Sequence, residues 1–159
     1  MLKIIGLVFL CLSVASIGFI YSESLRKRKV FFEKLSHFAS NSVNEMRRLN
    51  CNIFEIFKSN ANDELKFLKE INTDNLQNRN TVVEIIKGTK VDGEDVGLIT
   101  DFIIKFGVSD IKSQTAHCRY FAEKFDLKQK EAEQKYSEKG RLSVVLSVLI
   151  ALALFIILI

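Results

Sequence analysis

Two stretches of the chain carry no charge, and the charge between them is dense. Residues 4–21, IIGLVFLCLSVASIGFIY, and residues 142–159, LSVVLSVLIALALFIILI, contain no Asp, Glu, Lys or Arg. Eighteen helical residues rise about 27 Å, close to the thickness of a bilayer's hydrocarbon core. Both stretches therefore predict transmembrane helices. Every acidic residue, and every basic residue except Lys3, lies between Glu23 and Arg141.

Between the apolar ends the pattern is helical. Phe32, Leu35, Ala39, Ser42, Met46, Leu49, Ile53 and Ile56 recur in alternating steps of three and four, the mark of one buried helical face. Phe31, Phe38, Phe54 and Phe57 widen that face, which suits a bundle better than a two-stranded coil. The chain has no proline, and no glycine falls between Gly18 and this seam, so the first apolar helix is expected to continue into it. Residues 59–63, SNAND, predict a break, because Asn and Asp favour caps and turns. A short helix with Leu65, Leu68 and Ile71 follows. A second break is expected at residues 72–75, NTDN, and then a helix with Val82, Val83, Ile85 and Ile86 that ends at Gly88. Residues 88–97, GTKVDGEDVG, read as a solvated loop whose acids start the next helix, which carries Val96, Ile99, Ile103 and Phe106.

That helix is expected to stop at Gly107, in the stretch FGVSDIKSQ. Glycine takes the left-handed conformation that ends helices, and Ser109 or Asp110 can accept bonds from the amides of a new helix start. Asp110 also opposes the positive end of the helix dipole. The last helix is predicted from Asp110 to about Lys139, with Ile111, Cys118, Ala122, Phe125, Ala132 and Tyr136 on one seam and Gln114 and Gln129 on or beside it. The fold class expected is all-α: an antiparallel helical bundle between N-terminal and C-terminal transmembrane helices. Its parts are residues 1–21, the bundle module 22–141, and residues 142–159.

The flanks of the apolar runs predict the topology. Arg26, Lys27, Arg28 and Lys29 follow the first, and Lys135, Lys139 and Arg141 precede the second. Basic residues stay on the cytoplasmic side, which places residues 22–141 in the cytoplasm. The first run has a rival reading. Lys3, an apolar core and Ser-Val-Ala-Ser follow the order of a cleavable signal peptide, and the basic cluster opposes that reading. Ser143, Ser147 and Ala151 form a stripe of small residues that permits close helix approach in lipid, with Cys11 and Ala15 as a weaker counterpart.

Composition narrows the chemistry. The formal charge is +4, or +3 without Lys3, too small a bias to argue for nucleic acid. Cys11, Cys51 and Cys118 are too far apart for the paired spacing of a zinc site and read as apolar thiols. The 88–97 loop lacks the order of a phosphate-binding or calcium loop. His37 and His117 stand alone, and no nucleophile–base or paired-carboxylate arrangement is legible. Glu131 and Lys135 read as a solvated i,i+4 pair. No catalytic residue, metal site or cofactor is expected.

The words and the layout together resemble the stage III sporulation protein AB family of endospore-forming bacteria. The opening, MLKIIGLVFLCLSVASIGFIYSESLRKR, is similar to that family's apolar helix, Gly-Phe and basic stretch. FGVSDIKSQ resembles its Leu-Gly-x-Ser-Asp-x-x-x-Gln signature through Gly107, Ser109, Asp110 and Gln114. The end resembles its Tyr-x-x-Leu-Gly close through Tyr136 and Gly140. Phe106 and Lys139 stand where Leu is usual, and the Tyr-Gly and Thr-Pro-Leu words that often follow the first cytoplasmic helix are missing. The similarity runs the whole length and is weakest over residues 60–95.

The resemblance implies a non-enzymatic part of the channel complex between mother cell and forespore. It also implies a cytoplasmic module similar to the helical domains of type II secretion platform proteins. The partners it implies are a hexameric secretion-type ATPase, the other membrane components of the channel and the lipid bilayer. Two other readings remain open. One is a bitopic regulator of a membrane enzyme, such as a polysaccharide chain-length determinant, whose domain lies outside. The other is a signal-anchored enzyme of unknown chemistry.

Overall fold

The computed structural model describes residues 2–49, 53–76, 78–89, 91–106, 108 and 110–158. Among them there is no strand. The helices are α1 (Leu2–Leu49), α2 (Ile53–Asn60), α3 (Thr73–Leu76), α4 (Arg79–Lys87), α5 (Gly93–Lys105), α6 (Ile111–Lys135) and α7 (Arg141–Leu158). A 3-10 turn occupies Lys66–Lys69, and a π turn, Tyr136–Gly140, joins α6 to α7. The fold is an all-α bundle with a long apolar helix at each end of the chain. The chain packs as two compact units: residues 31–127, and residues 1–30 with 128–159.

The unit of residues 31–127 is built on phenylalanine. Phe32 and Phe38 of α1, Phe57 of α2, Phe102 of α5, Phe106 just after it and Phe125 of α6 have no more than a sliver of surface left in solvent. Phe102 is the hub. Its ring lies 5.8 Å from Phe38, 5.4 Å from Phe106, 5.3 Å from Phe121 and 5.4 Å from Phe125, and the Phe125 contact is edge-on. Edge-to-face and tilted pairs at such spacing add to burial, because the positive ring edge meets the negative face. Phe57 and Phe106 stack at 5.1 Å. Leu65, Leu68 and Ile71 fill the core around the 3-10 turn, and Val82 and Ile86 do so from α4.

The seam predicted along α1 is buried at Phe32, Leu35, Ala39 and Ser42. Ser42 is tolerated there because its hydroxyl donates to Phe38 O at 2.7 Å. The run read as one helix through Ile56 divides into α1 and α2, and residues 50–52 lie outside the described residues. Polar side chains close the turns. Asn62 Oδ1 accepts from Leu65 N, and Asn78 Oδ1 accepts from Asn80 N at the start of α4. The break expected at residues 72–75 holds a single helical turn, α3, whose Asn75 amide bonds to Asn72 Oδ1. The 88–97 stretch is less of a loop than its glycines suggest. Helix α5 begins at Gly93, and Asp95 is buried rather than solvated, in the first turn where the helix dipole favours a carboxylate. Ile111 shares the buried face of α6 by register, yet it is exposed, because it stands in the first turn at the edge of the core.

Replacing Phe102 with Ala removes the ring that five others touch. The expected loss is about 3–5 kcal/mol, read as a lower urea midpoint of the chain in mild detergent by circular dichroism. Val108→Ala, at an exposed position, is expected to stay within about 0.5 kcal/mol.

Candidate functional site

The unit of residues 1–30 and 128–159 is an antiparallel pairing of the two chain ends. Cys11 Sγ donates to Ala151 O at 3.3 Å, and Lys29 Nζ meets Glu133 Oε1 at 2.6 Å. Gly140 lies against Ser22 between them, so a single register holds throughout. The closest approach is at Gly18. A Cβ there would overlap the Ser147 hydroxyl and stand 2.7 Å from Ser143 O, so only glycine fits without displacement. Ser143 Oγ is 3.4 Å from Gly18 O, to which it donates. Ala151 is buried, and Ser143 and Ser147 are half-buried. The small-residue stripe Ser143, Ser147 and Ala151 thus lies against Cys11 and Gly18. The sequence marked Gly18 only as part of the Gly-Phe word and not as a packing position, although its seven-residue step from Cys11 keeps it on that face.

The rest of these helices is apolar and uncovered. Two helices are long and apolar enough to cross a membrane, and only 6% of the most apolar stretch of each is buried. Phe9, Ile17, Phe19, Leu142, Ile156 and Ile157 are exposed, which a core helix in water would not tolerate.

The basic flank is partly tied down. Arg26 donates to both carboxylate oxygens of Glu23 at 2.8 Å, and Lys29 pairs with Glu133. Lys27 is exposed and Arg28 half-buried. In the π turn, Gly140 lets the Tyr136 ring close over it; a Cβ at Gly140 would stand 2.9 Å from that ring. A π turn admits an extra residue into a helix, and the sequence pattern, read as one unbroken helix to Lys139, did not show it.

The FGVSDIKSQ stretch joins α5 to α6. Gly107 and Ser109 lie outside the described residues. Helix α5 ends at Lys105, one residue earlier than the glycine suggested, and Phe106 turns extended with its ring in the core. Asp110 Oδ2 accepts from Lys112 N at 3.1 Å and Ser113 N at 3.3 Å, capping α6. Bonds from the Ser113 hydroxyl, then from the amides of Ser113 and Lys112, hold the Asp110 carboxyl below its usual range. A carboxylate depressed in this way adds stability above its unfolded pKa and loses it as pH falls through the folded one, so acid loosens this helix start.

Gln114 does what the sequence did not reveal. It is buried, and its Nε2 donates to Lys105 O at 2.9 Å, one of the carbonyls that α5 leaves without a helical partner. One turn on, His117 Nε2 lies 3.0 Å from Phe102 O. The Phe106 amide bonds Ile103 O instead, so His117 supplies the bond this carbonyl needs, which assigns the proton to Nε2. The His117 ring stacks on Phe102 at 5.6 Å. Asp110 therefore starts α6, while Gln114 and His117 tie it to the end of α5. Cys118, one residue on, is fully buried, and burial pushes its thiol up to about 12, so it is no nucleophile. Among the described residues no group of three or more His, Cys, Asp or Glu is placed to hold a metal ion.

The family model for stage III sporulation protein AB matches residues 3–159, essentially the whole chain. The chain belongs to that family. It is therefore a protein of the third stage of sporulation, and its two apolar helices associate it with a membrane. No curated protein sequence and no solved structure matches it. The family words Tyr136 and Gly140 stand at the π turn, and Asp110 and Gln114 at the tie between α5 and α6.

Two substitutions check these contacts. In a chain with Cys51 and Cys118 replaced by Ala, Cys11 is expected to form a disulfide readily with a cysteine introduced as Ala151→Cys. Adding Gly18→Val should cut the yield several-fold, and an unchanged yield would show that Gly18 does not set the helix approach. Gln114→Ala removes the donor to the Lys105 carbonyl, an expected cost of about 0.5–1.5 kcal/mol, read as a lower unfolding midpoint.

Proposed function

We propose that the chain is a non-enzymatic membrane scaffold of the secretion-like channel complex between mother cell and forespore. Residues 1–21 and 142–159 anchor it in the mother-cell membrane around the forespore. Residues 22–141 form the cytoplasmic module, which docks a secretion-type ATPase and connects it to the membrane-embedded parts of the channel. The observation that carries this reading is the family match over residues 3–159. Three features support it: the basic residues on the inner side of both apolar runs, the bundle of residues 31–127, and buried Ser42, Thr100, Gln114 and Thr115 side chains that each donate to a backbone carbonyl.

The flanks also argue against an outward-facing regulator of chain length, whose basic residues would sit on the terminal side. The same charge pattern favours a retained first helix over a cleaved one, and the Gly18 contact gives that helix a packing role.

The test joins topology to binding. A lone cysteine introduced as Lys87→Cys, at an exposed position of α4, is expected to resist a membrane-impermeant thiol reagent in intact cells and to react once the membrane is opened. The full chain in nanodiscs is expected to retain the purified ATPase of the same complex. Labelling in intact cells would put the module outside and end the docking reading.

A further inference from the structure

Three contacts fix how the two chain ends align. Cys11 meets Ala151, Gly140 lies against Ser22, and Lys29 meets Glu133. Ser22 is eleven residues after Cys11, and Ala151 is eleven after Gly140. Lys29 is seven after Ser22, and Gly140 is seven after Glu133. This shared register sets Tyr21 level with Arg141, and Lys27 level with Lys135. The charge-free runs, residues 4–21 and 142–159, therefore stop at the same depth. The residues just after Tyr21 and just before Leu142 meet one layer of lipid head groups.

That layer meets an excess of positive charge. Residues 22–29 and 133–141 carry seven Lys or Arg and three Glu. Two of the acids are used inside the pair: Glu23 accepts from Arg26, and Glu133 pairs with Lys29. The third, Glu138, accepts from Gln134 at 2.9 Å. Beyond the two ion pairs, five cations stand against that one carboxylate. Four of them, Lys27, Lys135, Lys139 and Arg141, are exposed. The excess is confined to this level. The next seven residues on each side, 30–36 and 126–132, carry three cations and three acids.

The depth suits a head group. Lys27, the farthest of these cations from its apolar run together with Lys135, stands about 9 Å beyond Tyr21 along the helix. The head-group layer is about 5–8 Å thick, and long basic side chains reach along a helix to it. Tyr21 is exposed at the inner edge of that layer, where amphipathic rings settle. The cations are spread over both helices and share no single face. Head groups surround a membrane hairpin on all sides, so a collar needs none.

We infer that this collar binds the phosphate groups of acidic phospholipids and gathers those lipids around the basic end of the hairpin. Its basis is the membrane position of the two apolar runs, and ATPase docking plays no part in it. Position names the occupant: the surplus charge lies beside the apolar runs and vanishes one level farther out. Clustered cations at the end of a membrane helix attract acidic lipid. Charge that only oriented the chain during insertion would leave no lipid preference afterwards.

The test uses the full chain in vesicles of mixed phosphatidylcholine and phosphatidylglycerol. The chain has no tryptophan, so Tyr21→Trp supplies a single fluorophore at the collar. One lipid or the other is brominated, at equal mole fraction. Brominated phosphatidylglycerol is expected to quench more strongly, matching a local enrichment of about fivefold, the worth of one cation near an acidic surface. Sodium chloride should reduce the difference. Lys27→Gln with Lys135→Gln, Lys139→Gln and Arg141→Gln should abolish it, and Lys27→Arg with Lys135→Arg and Lys139→Arg should keep it. Lys58→Gln with Lys87→Gln, exposed cations on α2 and α4, should leave it unchanged. Quenching by neither lipid would show that the hairpin is not in the bilayer, and the membrane reading would fail together with the collar. Equal quenching by both lipids, with no response to salt, would overturn the collar alone. A preference that sodium phosphate removes and chloride of equal ionic strength does not would assign the site to free phosphate and overturn the lipid. A preference that survives the four Gln substitutions would overturn the residues.

Discussion

The unit of residues 31–127 depends on the packing of rings around Phe102. Helices α1, α2, α5 and α6 each contribute phenylalanine to one contiguous cluster. Short helices need such a partner. A segment of eight or nine residues, such as α2 or α4, is marginal in water by itself and owes its helicity to the apolar face it buries. The cluster also explains why α5 ends where it does. Phe106 leaves the helix in an extended conformation and places its ring 5.1 Å from Phe57 and 5.8 Å from Phe38. That early exit frees carbonyls at the end of α5, and α6 answers with Gln114 and His117. Apolar packing and hydrogen bonding thus settle the same turn from two sides.

The unit of residues 1–30 and 128–159 works under a different rule. Lipid tails are as apolar as the side chains that face them, so helices in a membrane gain little from burying leucine against leucine. Close backbone approach takes over, and small residues are what permit it. Gly18, Ser143, Ser147, Ala151 and Cys11 are those residues, and the Ser143 hydroxyl and the Cys11 thiol reach backbone carbonyls across the gap. Beyond the apolar runs the pairing continues with an ion pair, Lys29 to Glu133, and with the Tyr136 ring over Gly140. The type of contact changes along the pair as the solvent it was built for changes.

Much of this is legible in the sequence, for a definite reason. A period of three and four, a charge-free run of eighteen residues and an Asn-rich break are properties of neighbours in sequence, and α1, α7 and the turns after Asn60 and Asn72 express them directly. What stayed hidden depends on partners distant along the chain. Gln114 could be placed near the α6 seam, but its bond to Lys105 O requires α5 to end beside it. Gly18 looked like an ordinary membrane glycine until Ser147 stood opposite. Asp95 read as solvated because its neighbours Asp92, Gly93 and Glu94 are polar, yet it is buried at the start of α5. Ile111 failed in the other direction: its register was inward, but the core does not reach the first turn of α6.

The outer side of α6 carries two large apolar side chains, Tyr120 and Leu127, that the core does not use. A helix that both buries Phe121 and Phe125 and carries Tyr120 and Leu127 outward is apolar on more of its circumference than folding requires. Folding alone would be served by polar residues at positions 120 and 127, as it is at the exposed positions of α1. Capping the helix start with Asp110 and tying it through Gln114 and His117 fixes the rotation of α6 about its own axis. That rotation decides which side chains point outward, so Asp110 and Gln114 bear on the surface as well as on the fold. Two of the residues that make the turn recognisable in sequence, Asp110 and Gln114, are thus among those that hold α6 in its rotation.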